Sequence, residues 1–117
     1  MDKEKTEEFP HHVRIVRSSE YRALYKAGKK IHSERFVLFC RANNLGHPRL
    51  GITVSRKVGG AVVRNRIKRL LKEIFRRSII QTPRQIDIVF NAKSGCAGVS
   101  YAELQVEWLA AIQKVYK

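Results

Sequence analysis

From Ala61 to about Ser78 the apolar residues recur at helical spacing. Val63, Ile67, Leu70, Leu71 and Ile74 fall on one stripe, and Lys68, Lys72, Asn65, Arg76, Arg69 and Arg66 cover the opposite arc, with Arg64 on the border. One side of such a helix must be buried in a core. The other side must face something that tolerates dense positive charge. Residues 56–77 carry nine Lys and Arg (Arg56, Lys57, Arg64, Arg66, Lys68, Arg69, Lys72, Arg76 and Arg77) against one acid, Glu73, a local net charge of +8. Solvated helix faces usually mix signs in i, i+4 pairs, so this one reads as a phosphate-binding array. Arginine forks match phosphate oxygens bidentately and lysine adds a point charge, while Asn65 can donate to and accept from a sugar or a base edge.

The whole chain agrees with that reading. Its 117 residues hold 24 Lys and Arg against 10 Asp and Glu, a formal net charge of +14. Solubility does not require so much charge, and self-repulsion opposes compaction, so a polyanionic partner is expected. Residues 1–10 are slightly acidic and residues 87–117 are neutral, which directs the polyanion to the middle of the chain. The length and the 44% apolar content fit one modest core.

The flanking elements follow from local pattern. Residues 1–12 lack periodicity and read as a flexible tail ahead of one domain over residues 13–117; His11 and His12, with no third ligand, are weak as a metal site. Ser18 or Ser19 is expected to cap a short helix with Tyr21, Leu24 and Tyr25 on one face and Gly28 as its stop. Arg35 to Arg41 reads as a strand, Asn43 to Pro48 as a turn, and Leu50 to Ser55 as a second strand, the short link predicting an antiparallel pair. Gly59-Gly60 breaks the chain before the basic helix. Ile86 to Phe90 is a third strand, apolar on both faces and so central. After the loop from Ala92 to Val99, Ser100 and Glu103 form a capping box for a last helix burying Leu104, Trp108, Ala111, Ile112 and Val115. The order α, β, β, α, β, α predicts an α+β sandwich of helices on a small sheet.

Tyr21 and Tyr25 share a helix face, and Val37 and Phe39 share a strand face. If that helix lies on that strand, Tyr21, Tyr25 and Phe39 meet, either to stack unpaired bases or as plain core. No carboxylate pair, catalytic triad or nucleotide-binding glycine loop occurs, so the chain offers no reaction centre of its own. Cys40 and Cys96 have no metal or disulfide spacing and read as reduced thiols. With neither a membrane-length apolar run nor a signal-peptide pattern, a cytoplasmic protein is expected. Rival readings are a ribosomal or chaperone protein that binds RNA without belonging to an enzyme, a helix-turn-helix DNA reader and a membrane-active cationic protein. Strand-like residues before the basic helix count against the DNA reader.

The run Gly51-Ile52-Thr53-Val54-Ser55-Arg56-Lys57-Val58-Gly59, followed by Ala61-Val62-Val63-Arg64-Asn65-Arg66-Ile67-Lys68-Arg69, resembles the bacterial ribonuclease P protein family. Arg14-Ile15, Tyr21, Tyr25, the strand from Arg35 to Phe39, and Asp87-Ile88-Val89 agree with it, so the likeness runs from about residue 13 onward. The resemblance implies a mixed sheet with three helices and a left-handed βαβ crossover around the Arg64 helix, a fold shared with a ribosomal-protein domain. It implies that a cleft lined by Arg14, Tyr21, Tyr25 and Phe39 takes the single-stranded 5′ leader of precursor tRNA. It implies that Arg64, Asn65, Arg66, Lys68, Arg69 and Lys72, an Arg-Asn-Arg motif and its continuation, face a catalytic RNA, with Arg56 and Lys57 beside them. The chemistry would be hydrolysis at Mg²⁺ held by the RNA, with no cofactor on the protein, no activity of the protein alone, and neither DNA nor membrane as partner. Some relatives have Phe where this chain has Tyr21 and Tyr25, and Tyr where it has Phe39.

Overall fold

The structure, a computed structural model, describes residues 13–115. The expected tail over residues 1–12, with His11 and His12, lies outside the described residues, as do residues 116 and 117. The elements are α1 (Ser18–Ala27), β1 (Lys29–His32), β2 (Phe36–Ala42), β3 (Arg49–Thr53), α2 (Ala61–Arg77), β4 (Ile86–Ala92) and α3 (Tyr101–Val115), with short 3-10 turns at Ile79–Gln81 and Ser94–Cys96. The four strands lie in the order β1-β2-β4-β3, β4 antiparallel to β2 and parallel to β3.

This order corrects one expectation. β2 and β3 are not partners; β4 sits between them, with Leu38 opposite Phe90 and Leu50 opposite Ile88. The reason is burial. Ile86, Ile88 and Phe90 are buried towards one face of β4 and Val89 towards the other, so β4 needs cover on both sides and takes the centre. The link from residue 43 to 48 spans the width of the inserted strand rather than closing a hairpin. β3, α2 and β4 thereby form a βαβ crossover with parallel neighbours.

A second correction is β1, a strand with no counterpart in the elements expected from sequence. Ile31 alone of its four residues is buried, too short an alternation to signal a strand, and pairing with β2 supplies what the pattern lacks. α1 also starts differently. Its N-cap is Arg17, with no side-chain cap, and Ser18 is already helical. The chain enters extended beside β3, where the Ile15 amide donates to the Leu50 carbonyl at 3.0 Å, and this fixes where the helix can begin. Gly28 ends α1 in an extended conformation, φ −76° and ψ 156°, not a left-handed one. It is needed for close approach: a Cβ there would lie 2.5 Å from the Leu24 carbonyl oxygen.

α2 and α3 cover one face of the sheet. Ile67, Leu71, Ile74 and Phe75 of α2 and Leu104, Trp108, Ala111 and Ile112 of α3 pack on Phe36, Leu38, Leu50, Ile88 and Phe90. Phe75, outside the predicted stripe, joins it by placing its ring edge-on to Trp108, 6.2 Å between centroids. The predicted capping box is present: the Glu103 amide donates to Ser100 Oγ at 3.1 Å and the Ser100 amide to Glu103 Oε1 at 2.9 Å. α1 lies alone on the other face, where Leu24 packs with Ile15 and Val89.

The two core helices are also joined by one polar contact. Trp108 Nε1 donates to Ser78 Oγ at 3.1 Å, and that hydroxyl donates to the Ile74 carbonyl at 2.7 Å, all of it buried. Ser78→Ala leaves the indole N–H without an acceptor. The expected cost is about 1–3 kcal/mol, read as a lower urea midpoint with an unchanged denaturant slope.

Candidate nucleic-acid interface

Helix α2 follows a turn over residues 56–58, closed by the Val58 amide donating to the Ser55 carbonyl at 3.1 Å, and the extended Gly60. The Arg64 amide donates to the Gly60 carbonyl at 2.9 Å, and Arg64 Nε donates back to the Gly59 carbonyl at 3.2 Å, so its guanidinium is held at the start of the helix. Arg56 and Lys57 are exposed in the loop between β3 and α2. Asn65 and Arg69 stand exposed on the crest of the helix. The remaining cations divide between its two flanks. Lys68 and Lys72 face β3 and Arg14, whereas Arg66 points the other way, close enough to the loop at Cys96 for its charge to act on that thiol. Arg66 Nη1 is buried there without a hydrogen-bond partner. The predicted arc is therefore a two-sided ridge, not one surface.

The C-terminal end of α2 is weaker as an anion site than its composition suggests. Glu73 Oε2 lies 2.7 Å from Arg76 Nη2 and also pairs with Arg77. Arg76, then Arg77, hold the Glu73 carboxyl below the usual carboxylate range. The effective basic stretch is thus Arg64 to Lys72.

On the β3 flank, Arg14, Tyr21, Gly51, Lys68 and Lys72 line a groove of about 180 Å³. Burial lowers the pKa of the Lys72 ammonium, and the charges of Arg14 and Lys68 lower it further. Arg14 and Lys68 thus both bear on Lys72 around one groove, an electropositive setting that suits an anion.

α1 does lie on β2, and the aromatic residues meet. Tyr25 and Phe39 are edge-on with centroids 4.8 Å apart, and Tyr21 and Tyr25 are 6.4 Å apart. Lys30 Nζ stands 5.6 Å from the centre of the Phe39 ring. Tyr25 is 39% exposed, and its hydroxyl lies 3.2 Å from Thr53 Oγ1 and donates to Asn91 Oδ1 at 3.3 Å. Burial raises the pKa of the Tyr21 hydroxyl, and a hydrogen bond with the Ile52 backbone partly offsets this. The trio both edges the small core around Leu24 and opens to solvent. Lys30, Thr53 and Asn91 belong to the same surface and had no signal in the sequence, because strand register alone brings them there.

The acids are engaged elsewhere. Arg49 holds Glu20 and Asp87, Arg35 holds Glu107 and reaches Glu103, and Glu73 is taken by Arg76 and Arg77. Among the described residues no three His, Cys, Asp or Glu gather as a metal site. A carboxylate-held Mg²⁺ does not fit this donor set. Among the described residues no helix is long and apolar enough to cross a membrane.

The family model for ribonuclease P matches residues 9–116 of the chain. The chain belongs to the ribonuclease P protein family. The "Ribonuclease P protein component" of Clostridium kluyveri is 44% identical, the match covering 78% of this chain and 83% of that one. The solved ribonuclease P protein of Thermotoga maritima is 31% identical with a TM-score of 0.81, covering 86% of this chain and 96% of that one. A Staphylococcus aureus ribonuclease P protein, a mutant described as defective in mRNA degradation, superposes with a TM-score of 0.86 at 26% identity, over 99% of this chain and 98% of that one. This chain is accordingly a protein component of ribonuclease P, the ribonucleoprotein endoribonuclease of tRNA 5′ processing, and its partner is the RNA of that enzyme.

In this ribonuclease P protein both thiols are free and buried. Burial pushes the Cys40 pKa up to about 12 and, with Glu107 adding to the effect, the Cys96 pKa up to about 11. Both are protonated at neutral pH, and the thiolate is the reactive form. A disulfide-exchange reagent at pH 8 should label neither in the folded protein and both after denaturation, followed by absorbance.

Proposed function

We propose that the protein binds two stretches of RNA at once, one on each side of the groove at Arg14, Lys68 and Lys72. The single observation that carries this is the adjacency of the basic helix α2 and the aromatic wall across that groove. Arg64, Asn65, Arg66, Lys68, Arg69 and Lys72, with Arg56 and Lys57 in the preceding loop, hold phosphates of the catalytic RNA. Arg14, Tyr21, Tyr25 and Phe39 take unpaired nucleotides of the 5′ leader of precursor tRNA, the rings by stacking and Arg14 by charge. The hydrolytic chemistry of leader removal would come from Mg²⁺ bound by the catalytic RNA, not from a metal on this chain. The protein's own part is to screen phosphate repulsion between the two RNAs and to hold the leader in line. Its ion-paired carboxylates are engaged by Arg35, Arg49, Arg76 and Arg77, and no described group of acids is gathered that could hold a metal and cut RNA alone. RNA is favoured over duplex DNA because β3 and a loop stand where a helix-turn-helix needs its first helix. The place of action is the cytoplasm, where precursor tRNA is made.

Two measurements check this reading. Each phosphate contact contributes about 0.7–0.9 to the slope of log affinity against log salt. Single Ala variants of Arg64, Arg66, Lys68 and Arg69 should each flatten that slope for the catalytic RNA by about one unit, and an unchanged slope in all four sinks the assignment. Base stacking on an aromatic ring is worth about 1–3 kcal/mol. Tyr25→Ala should weaken holoenzyme binding of leader-bearing precursor about five- to a hundredfold and hardly alter binding of mature tRNA. Equal weakening for both RNAs, with a lowered melting temperature, would leave only the packing role.

A further inference from the structure

Both tyrosines of the aromatic wall stand on α1, yet α1 has few means of holding its place. Its N-terminus has no side-chain cap, and its fully buried anchor is Leu24 alone. Two residues of β3 supply what is missing: Arg49, away from the cationic groove, and Gly51, in the floor of it.

The first is Arg49. Its Nε and Nη2 grip Asp87 Oδ1 and Oδ2 at 2.9 and 2.8 Å across the parallel β3–β4 pair, and the same Nη2 reaches Glu20 Oε2 on α1 at 3.1 Å. Asn43 Nδ2 donates to Asp87 Oδ1 at 2.7 Å and steadies that carboxylate. The sheet half of this clamp is bidentate and mostly buried. The half that reaches α1 is one bond, to the residue just before Tyr21.

The second is Gly51, on the same strand face as Arg49 and paired with Val89. A Cβ at Gly51 would lie 2.6 Å from Tyr21 Oη, 2.8 Å from Cζ and 2.9 Å from Cε1. The ring of Tyr21 can rest on β3 only because that position has no side chain. The neighbour a methyl would strike is the far end of a side chain rather than backbone, so Gly51→Ala displaces the ring and leaves the sheet.

We propose that the Glu20–Arg49–Asp87 clamp and the Gly51 seat are positioning elements of the leader-binding wall. They set where Tyr21 and Tyr25 stand over the sheet, and so how firmly unpaired leader nucleotides are gripped. This rests on the leader reading given above and goes beyond it by naming residues that act through the placement of Tyr21 and Tyr25. Because Glu20 is partly exposed, its ion pair contributes little to global stability. Its loss acts instead by letting one weakly held helix open locally.

The test uses the full chain reconstituted with the catalytic RNA, comparing Glu20→Gln and Gly51→Ala with Tyr25→Ala as reference. Dissociation constants are measured for precursor tRNA and for mature tRNA, together with amide hydrogen exchange along α1 and the melting temperature. Glu20→Gln should speed exchange in α1 but not in β4. It should weaken precursor binding about two- to fivefold, with mature tRNA, salt slope and melting temperature unchanged. Gly51→Ala should give the same leader-specific loss. Its melting temperature reports any folding defect, and in that event Glu20→Gln decides alone. Tighter or weaker binding of both RNAs alike on Glu20→Gln would mark a simple charge effect and overturn the proposal. Leader-specific loss in Tyr25→Ala with none in the other two would overturn positioning and leave the leader reading standing. No leader-specific loss in Tyr25→Ala would overturn both.

Discussion

Strand β4 must be covered on both faces, and most of the architecture follows from that. Ile86, Ile88 and Phe90 need an apolar layer on one side, which α2 and α3 provide, and Val89 needs one on the other, which α1 provides. A strand so placed cannot lie at an edge, so β2 and β3 flank it and the short link between them must pass across it. The polar residues of β4 are placed by the same constraint. Asp87 is buried beside α1, and a buried carboxylate needs a compensating charge, which Arg49 of the neighbouring strand supplies. Asn91, one pleat further on beyond Val89, comes to face Tyr25.

The functional surface is a by-product of this packing. Helix α2 is pinned by Ile67, Leu71 and Ile74 and has no freedom to roll, so its cations emerge at fixed angles. Lys68 and Lys72 emerge over β3, beside Arg14, on the side where α1 has set its tyrosines. Arg66 emerges on the far flank. On the proposed reading the protein touches two RNAs and must keep their phosphates from repelling one another. A ridge of cations with an aromatic cleft along one side is a geometry suited to that task. The acids are kept out of the way: each ion-paired carboxylate of the described residues is held by an arginine in a structural pair.

Much of this was legible in the chain itself. The stripe of α2, the capping box at Ser100, the buried face of α3 and the central character of β4 were all written in periodicity, because each concerns residues within one element. The meeting of Tyr21, Tyr25 and Phe39 was legible conditionally, since spacing shows which residues share a face but not which faces meet. What stayed hidden depends on register. β1 has one buried residue and borrows its conformation from β2. The Glu20–Arg49–Asp87 group joins residues from three elements. An Asp between two isoleucines in a strand was the one signal that a charge partner had to exist, without naming it.

By itself, then, the sequence determined the three helices and every strand but β1, the basic helix with its burial stripe, and the polyanionic character of the partner, because hydrophobic period and net charge are local properties that survive any arrangement. Only the tertiary structure decided that β4 stands between β2 and β3, that the cations of α2 split into two flanks, and that α1 rests on Gly51. Those outcomes turn on which surfaces compete for burial and on contacts a few ångströms wide between residues far apart in the chain, and no local pattern encodes such distances.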